Sequence, residues 1–361
     1  MFPAFTNLRD ESAPCKSTVR RSRPMLVRTV AALSLSFAVS AAWAQAEAPA
    51  ADPASAAEEA QPEKILVVGQ RPGPGLWKVS KGDHVLWVFG TYSPLPKKME
   101  WRSQQVEAIM AQSQELLAQP YASLEVGRLR SLTLLPFMIG MEKNPDGAQL
   151  RDKLPPDVYE RWLVLRKKYL KDDEGYERQR PVFAAGELYE KSLAHVGLVN
   201  GSEVRKTLVK LAEKNKLKIT QTKLDIPVDS PVKVLREFKR TPMDDVACFT
   251  DTVTRVENDL DAMRTRANAW AKGDLDAIRK LHFPSHEEAC NNAILNNTVM
   301  KEKIGTDGMM QRVRATWLTA AEKALEANKS TVALLPLKEL LDPQGYLAAL
   351  QAKGYAVEQP E

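Results

Sequence analysis

Four histidines and three cysteines are the residues of this 361-residue chain best suited to metal or nucleophilic chemistry, and their spacing narrows what they can do. His282 and His286 stand at i and i+4, which puts two imidazoles on one helical face where they could share a divalent ion. Pro284 lies between them and no glutamate follows His282, so the pair does not make a zincin motif. His84 reads as a turn residue and His195 as a helix-surface one. Cys248 and Cys290 are left as a pair once Cys15 is assigned to a leader, and export would join them in one disulfide. Two buried thiols are the alternative. In the chain-entropy account, closing a loop of that length is worth roughly 4 kcal/mol. No Gly-x-Ser-x-Gly elbow, phosphate loop or dinucleotide fingerprint occurs in the sequence. On motifs alone, no enzyme class stands out.

The leader accounts for the odd cysteine and for most of the net charge. From Met25 the chain has a basic start at Arg28, an apolar run from Val30 to Ala42, and Ala42-Trp43-Ala44 before Gln45, which is the pattern of a secretory signal peptide. The apolar run is shorter than the ~20 residues of a spanning helix, so no permanent membrane span is expected. Arg20-Arg21 lacks the apolar pair of a twin-arginine signal. Residues 1–44 therefore read as a leader with a Sec-type signal and a true start at Met25, and the mature protein is expected in the periplasm or secreted. That leader holds six basic residues (Arg9, Lys16, Arg20, Arg21, Arg23, Arg28) and two acidic ones (Asp10, Glu11). Without it, the 51 basic and 46 acidic residues become 45 and 44, and the net charge falls from +5 to +1. A nearly neutral chain with no recognition motif is not expected to bind nucleic acid. The lysines from Lys206 to Lys223 read as a solvated helix face.

Residues 45–63 are rich in Ala, Pro and Glu and read as a flexible linker; residues 64–361 read as a single folded domain. Lys64–Val68 predicts a short strand and Arg71–Gly75 a rigid turn. Leu76–Val79 and His84–Phe89, around Lys81-Gly82-Asp83, predict a hairpin whose second strand has no polar face and so belongs inside a covered sheet. Ser103 is expected to cap a helix carrying Val106, Ile109, Met110 and Leu117. Pro155-Pro156 opens another with Val158, Trp162, Leu165 and Tyr169, and Ser202 caps a third with Val204, Leu208, Leu211 and Ala212. A long helical region spans 243–271, breaks at Gly273 and restarts behind Asp274. A helix with Val313, Trp317, Ala321 and Leu325 leads into the strand Ser330–Leu335. Asp342 and Pro343 open a last helix with Tyr346, Leu347 and Leu350, and Tyr355–Glu358 reads as a final strand. Strands separated by helices indicate an α/β or α+β architecture, helix-rich, with a central mixed sheet covered by helices.

Several short stretches in fixed order resemble the TraB/GumN family. They are Gly75-Leu76-Trp77-Lys78-Val79, Leu86-Trp87-Val88-Phe89-Gly90-Thr91, Leu95-Pro96, Met99-Glu100-Trp101, the Pro181, Ala185 and Leu188 region, Ala269-Trp270, Gly273-Asp274, Trp317, Gly345–Leu350 and Gly354-Tyr355. The resemblance covers 75–357. It implies a secreted or membrane-associated bacterial α/β domain related to the Tiki metalloproteases. Their proposed site pairs two Gly-x-x-His motifs at strand ends with a glutamate. Loops beyond the carboxyl ends of parallel strands converge, and a divalent ion held there activates water.

This sequence departs from that pattern at each ligand. Ser93 stands where the first histidine is expected, Gln119 at the glutamate position, and Pro336-Leu337-Lys338-Glu339 replaces the second motif, with Glu339 in the histidine's place. Glu125, six residues past Gln119, is too far displaced to substitute. An arginine expected just before Trp317 falls on Val313, flanked by Arg312 and Arg314. Hydroxyl and amide groups are weak replacements for imidazole and carboxylate, so no metal or other cofactor is expected; Mn, Co or Zn enters only if the family chemistry survives. The leading expectation is a catalytically degenerate periplasmic protein that binds a peptide, glycan or envelope partner. The alternatives are a hydrolase rebuilt around Ser93, Gln119, Lys338 and Glu339, with Ser93 as nucleophile and Lys338 as base, or retained metal-dependent proteolysis. Ligand and oligomeric state are not legible.

Overall fold

The two apolar runs between Leu76 and Thr91 form the hairpin they predict. β1 (Leu76–Lys81) and β2 (His84–Thr91) pair antiparallel, with Leu76 opposite Phe89 and Lys81 opposite His84. This computed structural model describes residues 73–281 and 286–360. The leader, the linker, the Lys64–Val68 strand and His282 lie outside those residues. The other strands are β3 (Leu95–Pro96), β4 (Glu115–Leu117), β5 (Tyr121–Glu125), β6 (Leu198–Val199), β7 (Lys218–Thr220), β8 (Lys223–Pro227), β9 (Ser330–Pro336) and β10 (Ala356–Glu358).

The main sheet has six strands in the order β10-β1-β2-β9-β4-β7. It is antiparallel from β10 to β2 and parallel from β2 through β9 and β4 to β7. Val332–Leu335 of β9 are fully buried, as a strand covered on both faces requires. β5 and β8 form a separate parallel pair that continues β4 and β7, and β3 pairs antiparallel with β6.

Two apolar cores surround this frame. The first joins the sheet to the helices Gln104–Gln112, Glu203–Lys214 and Leu260–Lys272, and holds Trp77, Trp270 and Trp317. The second is mostly helical and gathers Pro156–Tyr169, Pro181–His195, Pro231–Arg240, Val246–Asn258 and His286–Leu295 around Trp162 and Phe249. The helix Met309–Ala327 belongs to both: Met309 and Val313 pack in the second core, Trp317, Ala321, Ala324 and Leu325 in the first. Cys248 and Cys290 form a disulfide between the helices Val246–Asn258 and His286–Leu295. No helix among the described residues is long and apolar enough to cross a membrane.

Several boundaries differ from the sequence-based expectation. Leu117 is not on the helix behind Ser103, which ends at Gln112; it lies in β4, beside the helix rather than on it. The 243–271 region is two helices with Asp259 between them, because the Asp259 carboxylate turns inward to Arg255 and Arg266. Asp342 ends a short helix, Leu337–Leu341, and the last helix starts at Tyr346. The Asp342 carboxylate caps the turn between them by accepting from the Gln344 backbone N–H at 2.9 Å. Glu115 opens β4 although it is 5% exposed. Burial opposes its charge, but donors from Thr220, Lys218 (3.0 Å) and Asn328 (2.8 Å) outweigh that and hold its carboxyl below the usual range.

Candidate functional site

Parallel register brings the positions singled out by sequence to one edge of the sheet. Thr91 is the partner of Pro336 and Leu117 the partner of Ala333, so Ser93, Gln119 and the Lys338-Glu339 pair follow the carboxyl ends of neighbouring strands β2, β4 and β9. This is the edge where loops of a parallel sheet converge on ligands.

Gly90 makes the approach possible. A Cβ there would lie 3.0 Å from both Leu337 Cδ1 and Trp77 Cζ3, so the helix carrying Lys338 and Glu339 packs directly on the β2 backbone. The Gly90 carbonyl accepts from Trp270 Nε1 at 2.7 Å, and Phe89, Trp101 and Trp270 stack with centroids 5.6 to 6.2 Å apart. Below the next residue lies a buried polar cluster. Arg266, 2% exposed, donates to the Tyr92 hydroxyl at 3.3 Å and to the Asp259 carboxylate at 2.5 Å, and Arg255 meets the same carboxylate at 3.3 Å. Burial raises the Tyr92 phenol, with the Arg266 charge acting against it.

Ser93 itself is exposed and donates to Asn200 Oδ1 at 3.3 Å, while Asn200 Nδ2 donates to Glu190 at 3.1 Å. Lys338 is exposed and its ammonium makes no hydrogen bond or ion pair among the described residues, so Ser93 and Lys338 are not directly joined. Gln119 is half-buried. Glu125 is exposed at the end of β5, where it pairs in register with Pro227.

Glu339 belongs to a different contact set. Gly345 sits so close that a Cβ would come within 2.3 Å of the Glu339 carbonyl. Beside it, burial first and then the Glu339 charge push the Tyr346 phenol up to about 12, against the pull of Arg314. The Arg314 guanidinium lies 5.5 Å from the Tyr346 ring centroid and donates to the Gly345 carbonyl at 2.5 Å. Trp317 meets the same ring edge-on at 5.1 Å. Of the two arginines flanking Val313, Arg314 thus reaches the strand-end cluster. Arg312 turns away to the Gly305 carbonyl, and Val313 is buried in the helical core.

The sequence profile of the TraB/PrgY/gumN family matches residues 75–359. The chain belongs to the TraB/PrgY/gumN family. Comparison with curated proteins and with solved structures gives no significant match. In this TraB/PrgY/gumN chain the strand-end donors are a hydroxyl, an amide and one carboxylate, which is a poor set for a divalent transition ion. Among the described residues no three His, Cys, Asp or Glu side chains come together as a metal site.

The Tyr92–Arg266–Asp259–Arg255 cluster and the placing of Tyr346 against Arg314 were not singled out by sequence, although Arg314 itself was. The first had a readable signal: Arg255, Asp259 and Arg266 recur at intervals of four and seven on an otherwise apolar helical stripe. The second had none, because Tyr346 reads as an ordinary core residue.

Proposed function

We propose that this TraB/PrgY/gumN member is exported, has lost the family's metal-dependent hydrolysis, and binds a peptide, glycan or envelope protein in the periplasm through its strand-end cleft. The observation that carries the reading is the combination of an intact sheet edge with a donor set of Ser93, Gln119 and Glu339. The scaffold that converges on a ligand is kept, while imidazoles are replaced by groups that bind hydrogen-bonding partners rather than transition ions. The Ser93 hydroxyl is held by the Asn200 amide, which is no general base. The test is metal analysis of the purified protein together with peptide hydrolysis with and without added Mn²⁺ or Co²⁺. No stoichiometric metal and no stimulated cleavage are expected; either one overturns the reading.

A rebuilt hydrolase is the second reading, and Lys338 favours it, since its ammonium stands at the same sheet edge without an ion-pair partner among the described residues. It requires metal-independent cleavage that disappears in both Ser93→Ala and Lys338→Met.

A further inference from the structure

The helix Pro231–Arg240 carries its charge on one side. Lys233, Arg236 and Arg240 are exposed at intervals of three and four, while Phe238 on the opposite side is buried in the helical core. Its neighbour is the helix Arg128–Met138, which continues from β5 as Pro231–Arg240 continues from β8. That neighbour presents Leu135 and, one turn on, Ile139, which are 56% and 75% exposed. Contacts between the helices put the two stripes side by side: the Arg236 guanidinium lies 5.0 Å from the Phe137 ring centroid, and Lys239 Nζ donates to the Ile139 carbonyl at 2.6 Å.

The charge there is concentrated. The two helices together hold six basic residues (Arg128, Arg130, Lys233, Arg236, Lys239, Arg240) and one acidic residue, Glu237. Among the described residues the Glu237 carboxylate meets Lys233, at 3.9 Å. Arg240 has no side-chain partner among the described residues. A chain whose whole net charge is +5 thus carries as much on two adjacent helices.

We propose that this helix pair docks on an anionic phospholipid surface. A bilayer interface offers what the two stripes need together: a plane of negative headgroups for Lys233, Arg236 and Arg240, and beneath it an apolar layer for Leu135 and Ile139. A polyanion in water would satisfy the cations but leave both aliphatic side chains exposed. The helix pair shares no residue with the strand-end set of Ser93, Gln119, Lys338 and Glu339, so the docking goes beyond the function proposed above and does not depend on it.

The experiment is co-sedimentation of the full chain with vesicles of phosphatidylglycerol and phosphatidylcholine, against vesicles of phosphatidylcholine alone, at low and high salt. Binding is expected only to the anionic vesicles and to weaken with salt. Lys233→Glu/Arg236→Glu/Arg240→Glu should bind about a hundredfold more weakly, at roughly a factor of five for each basic residue. Ile139→Asp, at a solvent-exposed position that does not threaten folding, should weaken binding about tenfold. Lys206→Glu/Lys210→Glu, on the exposed face of Glu203–Lys214, is the control for bulk charge. Equal losses in the control and the triple variant overturn the proposal, as do failure to bind anionic vesicles or capture of an acidic polypeptide without any vesicle binding.

Discussion

A guanidinium that is 2% exposed is costly unless acceptors surround it, and Arg266 meets that condition with Asp259, the Tyr92 hydroxyl and the Leu281 carbonyl. Arg266→Ala leaves the Asp259 carboxylate with Arg255 alone, and should lower unfolding stability by about 3–5 kcal/mol in urea titrations. Asp245 is the opposite case. It is 3% exposed, accepts from the Val182 backbone N–H at 2.9 Å and faces Arg180, yet burial dominates and raises its carboxyl from 3.8 to about 6. The folded chain therefore holds this proton where the unfolded chain has released it. Asp245 contributes most below about pH 4, and that contribution is lost as pH rises through about 6. Asp245→Asn should remove this segment of the pH dependence, visible as a flatter urea midpoint between about pH 4 and about pH 7. Tyr346, pushed up to about 12, should be among the last tyrosines to ionise, and Tyr346→Phe should remove that late component from the ultraviolet titration.

Elements are tied together at two points that substitution can open. Arg180, 1% exposed, donates to the carbonyls of Phe238, Lys239 and Thr241 at 2.9 to 3.0 Å and to that of Lys143 at 3.1 Å. It thereby closes the carboxyl end of Pro231–Arg240, where a helix runs short of backbone N–H donors for its last carbonyls. Arg180→Lys cannot span those four acceptors, and should raise amide exchange across 231–241 before any change in the sheet. The Cys248–Cys290 bond links helices 42 residues apart in sequence. Cys248→Ala/Cys290→Ala should lower unfolding stability by about 4 kcal/mol, read from urea midpoints against the oxidised chain.

The same scale explains what could be read from sequence. Clear stretches announced themselves: Leu76–Lys81 and His84–Thr91 as two apolar runs around a tight polar turn, Pro156–Tyr169 by its stripe and opening prolines, Ser330–Pro336 by the apolar run Val332–Leu335. β4, β5, β7 and β8 did not. Each is three to five residues long, and they carry Glu115, Lys218, Lys223 and Asp225, whose polar ends are satisfied only across strands or by neighbouring side chains. A buried glutamate such as Glu115 cannot be told from a surface one until Thr220, Lys218 and Asn328 arrive from distant parts of the chain. The candidate cleft was legible as a set of positions because strand ends follow from register. Which arginine serves it was not, since Arg312 and Arg314 differ only by their direction around the helix.

At the scale of the whole molecule, the two cores meet along Met309–Ala327. That helix has 19 residues, about 28 Å of rise, and its buried residues change core between Val313 and Trp317. Arg314 stands at that change, with its guanidinium on Tyr346 at the strand ends. The helix is thus an axle shared by two bearings, and the strand-end contact is a crank fixed to it. Any change at the Arg314–Tyr346 contact is thus made on a shaft whose near end Met309 and Val313 hold in the second core and whose far end Trp317, Ala321 and Leu325 hold in the first.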